Sequence, residues 1–156
     1  MIQNFVKDKD FGEKYERIFL SELLKLDLKP VIVNAKGHDL VDVNGLKYEV
    51  KSDTYTSHNG NAAFELISNK FVNSDGWLIY SNADVLIYFI SEKEYYVSNL
   101  RKLRAWLFSV EDFFEKKPTS NSGAINLIVP VDKIPKKLFV KRVIKNEVWR
   151  TRIGGC

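Results

Sequence analysis

Three residues between Gly37 and Asp53, in GHDLVDVNGLKYEVKSD, carry the strongest chemical signal of the chain: Asp39, Glu49 and Lys51. Asn44-Gly45 between two apolar segments predicts a tight hairpin, because both residues tolerate the positive φ of a type I′ turn. That hairpin brings two carboxylates and an ammonium to one edge. Paired carboxylates hold a divalent cation, which neutralises developing charge and activates water, while a neighbouring lysine holds or deprotonates the nucleophile. Such a set is suited to hydrolysing a phosphodiester.

Pairing across a two-residue turn sets Val43 against Leu46, Asp42 against Lys47, Leu40 against Glu49 and Asp39 against Val50. Paired residues share a face of the ribbon. Val41, Val43, Leu46, Tyr48 and Val50 then form the buried face, with Asp42, Glu49 and Lys51 together on the other, away from the core. Strict alternation thus nominates Asp42 as the partner of Glu49. A bend at Gly37 would let Asp39 take that place instead.

Asp39 followed by Glu49-Val50-Lys51 resembles the signature of the PD-(D/E)xK nuclease superfamily, the group of many restriction endonucleases, Holliday-junction resolvases and RecB-type exonucleases. There an Asp at the base of one strand precedes Glu-x-Lys on the next. His38 stands where a proline often precedes the Asp. The resemblance extends more loosely from about Gly12 to about Val97. It implies a restriction-endonuclease-like core and a metal site of Asp39, Glu49 and the Val50 carbonyl, with Asp42 as the rival aspartate or a residue behind the site. Mg²⁺ is the implied ion, with Mn²⁺ able to substitute, and Lys51 positions or activates the attacking water. In many relatives the first helix supplies a further glutamate, and Glu16 matches that role. Gly60-Asn61 with Phe64-Glu65 resembles a GN…hE motif of phage-type members, which sets Asn61 and Glu65 behind the ligands. The implied activity is a Mg-dependent deoxyribonuclease, more an endonuclease than an exonuclease. With no specificity domain, structure-selective cutting is expected, and resolvase-like members are usually homodimers. The alternative is a non-catalytic DNA-binding or assembly protein that keeps the nuclease fold.

The elements that must position these residues follow from periodicity. Gly12 to Leu26 reads as a helix, with Tyr15, Ile18, Phe19, Leu23 and Leu24 at helical spacing and Glu16 inside that apolar arc. A carboxylate there needs a partner, because burying it alone is costly. Val31–Val33 is a short strand, Asp53–Gly60 a polar loop and Asn61–Ile67 a strand. Trp77–Tyr80 and Asp84–Ile90 are apolar, β-branched and aromatic runs with strand character, followed by Glu94–Val97; Asp84 caps a turn. Ser98 is placed to cap a helix through Leu100, Leu103, Trp106 and Leu107, and Ser109 with Asp112 to cap another through Phe113 and Phe114. Strands return at Ile125–Val131 and Phe139–Ile144, and Asn146-Glu147 turns the chain into Val148–Ile153. The expected class is α/β or α+β, a mixed central sheet flanked by helices.

At 156 residues and 45% hydrophobic, with no linker or repeat, the chain is expected to form a single domain over 1–156. The N-terminal MIQNFVKDKDF lacks a sustained apolar run, and no stretch approaches a membrane span. The only cysteine, Cys156, offers neither disulfide nor zinc site. A cytoplasmic setting, in a prokaryotic cell or a phage-infected host, is the expectation. Charge is uneven. Between Pro135 and Arg152, seven basic residues against Glu147 give +6, leaving −2 for the rest of a +4 chain. Lys136, Lys137, Lys141, Arg142, Arg150 and Arg152, on a basic C-terminal hairpin of about 135–153, are the expected DNA contacts.

Overall fold

A computed structural model describes residues 2–35, 37–119 and 123–145. A long helix, α1 (Ile2–Lys25), leads into an antiparallel run of β1 (Val31–Ala35), β2 (His38–Val41) and β3 (Lys47–Ser52). A crossover then carries a single turn α2 (Thr56–Asn59), the hairpin β4 (Asn61–Asn69) and β5 (Ser74–Asp75), and a second single turn α3 (Trp77–Tyr80). The chain returns as β6 (Val85–Phe89), which lies parallel to β3, then β7 (Glu94–Asn99) and α4 (Leu100–Val110). A 3₁₀ turn (Glu111–Phe113), β8 (Glu115–Pro118), β9 (Ile125–Pro130), another 3₁₀ turn (Val131–Lys133) and β10 (Val140–Val143) complete the described chain. The central sheet has the order β1-β2-β3-β6-β7-β10 and the smaller one β5-β4-β9-β8. The class is therefore α+β with a mixed central sheet, as the patterning predicts. No helix among the described residues is long and apolar enough to cross a membrane.

Tyr15, Phe19 and Leu23, four residues apart on α1, bury one stripe against Leu40, Tyr48, Val50, Ile87 and Phe89. The opposite face of the same sheet packs Leu86 and Tyr88 against Phe64, Leu127 and Val129 of the second sheet and Leu100, Leu103 and Leu107 of α4. Strand β6 is thus covered on both faces, which is why its sequence is a continuous apolar run and not an alternation.

Several local expectations are corrected. The first helix begins at Ile2, ten residues earlier than its apolar stripe signals. Trp77–Tyr80 is a helical turn, not a strand; four apolar residues carry no usable period. A Cβ on the preceding Gly76 would lie 2.3 Å from the Glu65 carbonyl oxygen, so the chain passes β4 at a distance only glycine allows. Asn99, not Ser98, caps α4 by accepting the Lys102 N–H. Ser109 lies within α4 and donates to the Trp106 carbonyl, and Phe113 belongs to a 3₁₀ turn. Strand β10 exists, whereas its expected partner Val148–Ile153, with Arg150 and Arg152, lies outside the described residues.

The hairpin register also differs. Leu40 pairs with Tyr48 and Val41 with Lys47, one residue out of step with a two-residue turn. The Asp42 carbonyl accepts the Gly45 N–H, Gly45 has φ +78°, and Asp42 N–H donates to Leu46 O. That is a three-residue loop ending in a left-handed glycine. Asp42 selects it: one carboxylate oxygen accepts the N–H groups of Asn44 and Leu46, and the other the Tyr48 hydroxyl. The side chain is 7% exposed. Asp42→Ala should lower the unfolding free energy by about 1–3 kcal/mol, the cost of leaving buried donors unpaired. Urea denaturation measures this; an unchanged midpoint would show that the loop holds without the carboxylate.

Candidate functional site

The shifted register decides the geometry of the candidate residues. Continuing it one step beyond Leu40–Tyr48 brings Asp39 opposite Glu49. The Asp39 carboxylate accepts the Val50 N–H at 2.7 Å. In an extended strand a residue's N–H and C=O point to the same edge, so the Val50 carbonyl also faces the β2 side. Lys51 Nζ lies 2.8 Å from Glu49 Oε1, and Ser81 Oγ donates to Glu49 Oε2 at 3.1 Å. The face carrying Glu49 is not open, as alternation predicts, but covered by α3 and the Ser81 turn: Glu49 is 3% exposed. The Lys51 ammonium sits 5.5 Å from the centroid of the buried Trp77 ring, where the π-face favours a cation.

Glu16 on α1 belongs to the same electrostatic cluster. Burial, then the charge of Asp39, and further Glu13 and Glu49, push its carboxyl up to about 7 against the pull of Lys51. Burial and the Glu49 charge likewise raise Asp39, opposed by the Val50 N–H, Lys51 and His38. Burial favours a neutral Lys51, but the Glu49 and Asp39 carboxylates outweigh it and hold the ammonium above the ordinary lysine range. Three carboxylates face one ammonium. Their hard oxygens and excess negative charge suit Mg²⁺. Among the described residues, no three His, Cys, Asp or Glu side chains stand together as a ready ligand group. Both oxygens of Glu49 are held by Lys51 and Ser81.

The remaining candidates divide. Glu65 accepts the backbone N–H of Trp77 and so fixes the start of the turn whose Trp77 ring lies beside Lys51. Asn61 lies four residues earlier on β4, roughly 13 Å along the strand, where its N–H donates to Asn59. Asp42 is committed to the hairpin loop. Lys136 and Lys137 are exposed ahead of β10. Lys141 pairs with Glu94 at 3.4 Å. Through the register Lys51–Tyr88–Tyr96–Lys141 it shares a row and a face with Lys51, three strand spacings or about 14 Å away. Arg142 alternates to the other face.

Sequence reasoning passed over Ser81, Arg104 and Trp77. Ser81 is 2% exposed, and its single O–H proton is shared between the Gly37 carbonyl at 2.7 Å and Glu49 Oε2 at 3.1 Å. Arg104 from α4 donates to the carbonyls of Leu78 and Ser81, both at 2.6 Å, and fixes the turn that presents that hydroxyl. No local spacing marks these residues; the tertiary fold brings Ser81 to Glu49, Trp77 to Lys51 and Arg104 to the Ser81 turn. His38 Nδ1 lies 2.9 Å from Asn82 Oδ1, which sets the imidazole beside Asp39.

A carboxyl whose folded pKa is raised binds its proton more tightly when folded. Its contribution to stability is therefore greatest below the ordinary 4.5 and is lost as pH rises through about 7. Glu16→Gln should accordingly raise the thermal midpoint at pH 8 and leave it unchanged at pH 4. A wild-type minus variant difference that does not vary with pH would remove Glu16 from the cluster. Compared with known proteins, the chain matches no family model and no curated sequence.

Proposed function

We propose that the protein is a metal-dependent DNA nuclease of PD-(D/E)xK type with a restriction-endonuclease-like core. The observation that carries this reading is the meeting of Asp39 with Glu49 and Lys51 on adjacent strands, at the point where Glu16 of α1 joins them electrostatically. Asp39, Glu49, Glu16 and the Val50 carbonyl would hold a Mg²⁺ ion, with Mn²⁺ as a substitute. When bound, the ion supplies a lowered water pKa and neutralises charge on the phosphate.

The chain's own groups do the rest. Lys51, anchored over Trp77, would position or activate the attacking water or hold a phosphate oxygen. Ser81 orients the Glu49 carboxylate from behind. Tyr80 stands at the rim of the cluster, its phenol pushed up by burial and by the Glu49, Glu65 and Asp39 charges against the pull of Lys51. DNA approaching this end also meets the basic residues that lead into and line the β10 edge.

A second reading has its own observation. Glu49 is fully engaged by Lys51 and Ser81, as a structural ion pair would be in a DNA-binding module that has lost catalysis. Incubating plasmid with the protein and Mg²⁺, with and without EDTA, separates the two. EDTA-sensitive cleavage is expected, falling roughly 10²–10³-fold in each of Asp39→Asn, Glu49→Gln and Lys51→Ala, as for loss of a group that stabilises developing charge. Asp42→Asn should keep its activity at temperatures where it is folded. Full activity in Glu49→Gln or Lys51→Ala would refute the site.

The basic edge makes a separate expectation. Each lost phosphate contact reduces the slope of log affinity against log salt by about 0.9 on duplex DNA. Lys141→Ala with Arg142→Ala should flatten it by about one unit, since the two side chains face opposite ways. An unchanged slope would mean that the edge is merely solvated.

A further inference from the structure

The tip of the β4–β5 hairpin exposes two consecutive apolar residues, Phe71 at 79% and Val72 at 72%. Burying them would be favourable, yet the structure spends ordered contacts on holding them in water. The Asn69 side chain accepts the Phe71 N–H at 2.9 Å, and the Lys70 N–H donates to the Gly123 carbonyl at 2.8 Å. Asn73 closes the tip in the left-handed region, at φ +51°. One edge of the Phe71 ring rests over Gly123, where a Cβ would come within 3.1 Å of two ring carbons. The Lys70 ammonium stands 5.3 Å from the ring centroid. An exposed aromatic ring is therefore presented at the tip, with a cation beside it.

Glu65, which contacts Trp77 at the candidate site, is six residues before Phe71 on the same hairpin. At about 3.3 Å per residue the tip stands no more than about 20 Å from it, within one turn of duplex DNA, about 34 Å. An apolar side chain with a neighbouring lysine is the chemistry that stacks on an unpaired base while the cation meets the adjoining phosphate. A protein partner would fit the apolar pair alone, but gives the lysine and the nearness to the site no part.

We propose that the Lys70–Phe71–Val72 tip stacks on unpaired bases of DNA held at the Glu49 site, so that the substrate class is branched, flapped or gapped DNA and not continuous duplex. The inference rests on the nuclease reading and adds to it the feature that selects the substrate.

The test uses the full chain with Ca²⁺ in place of Mg²⁺ to slow cleavage, and anisotropy titrations of a labelled three-way junction and a duplex of equal length. Wild type should favour the junction. Phe71→Ala should weaken junction binding about 5- to 150-fold, the range for loss of one stacked base, and leave duplex binding and the salt slope unchanged. Phe71→Trp should keep the preference. Thermal melting of each variant checks that it is folded. Equal loss on both DNAs, or none on the junction, would overturn the role of the tip while the nuclease reading stands. A wild-type protein that binds neither DNA would overturn both.

Discussion

Glu49 is a carboxylate with almost no access to water, and the middle of the molecule is arranged around that fact. Left alone, a buried charge would cost several kcal/mol. Lys51, two residues on and on the same face, answers it from one side, and Ser81 from the other. The lysine keeps 31% of its side-chain surface exposed, so the pair is only partly withdrawn from solvent and its net contribution to stability is small. Its greater effect is on position. Ser81 is held by Arg104, Arg104 belongs to α4, and so the second layer of the fold is tied to one carboxylate of the first.

This tie is possible because β6 runs parallel to β3. A parallel return needs a long crossover, and here the crossover contains the β4–β5 hairpin and α3 before the chain reaches Ser81. Asp84 then sets the register: its carboxylate accepts the Lys47 N–H at 2.9 Å, and its own N–H donates to the Lys47 carbonyl at 2.8 Å. With β6 pinned at that end, Ser81 stops beneath Glu49 and Trp77 beneath Lys51. The second sheet is thus both the cover of the core and the support of the candidate site.

Much of this was legible in the sequence, and the limits have physical causes. The stripe Tyr15-Phe19-Leu23 and the buried run of β6 follow from period, and the shared face of Glu49 and Lys51 from their spacing of two; Asp39 entered only through the resemblance of its place before Glu49-Val50-Lys51 to the nuclease signature. The length of the hairpin loop does not. Asn-Gly serves a two-residue type I′ turn or a three-residue loop equally well, and the choice falls to the Asp42 side chain, which pairs with two loop amides and Tyr48. That one-residue shift also explains why alternation sets Asp42 beside Glu49 while the structure does not, because it moves Asp42 into the loop and brings Asp39 opposite Glu49. Ser81 and Arg104 were beyond reach for a different reason: their partners are 23 to 44 residues away, and only the tertiary fold joins them.

What folding alone does not account for is the accumulation of negative charge. Glu16 and Asp39 both have pKa values raised by burial and by neighbouring carboxylates, which means that each would be more comfortable protonated or absent. One lysine cannot neutralise three carboxylates. A chain selected only for stability would place an amide or an apolar residue at Glu16, on the inner arc of an otherwise amphipathic helix. Natural sequences break such local rules chiefly where function requires it. The unmet charge is of the sign and kind that a divalent cation relieves, with oxygen donors drawn from α1, β2 and β3. The mutual repulsion of carboxylates drawn from these elements would therefore be relieved by the ion on which the proposed chemistry depends.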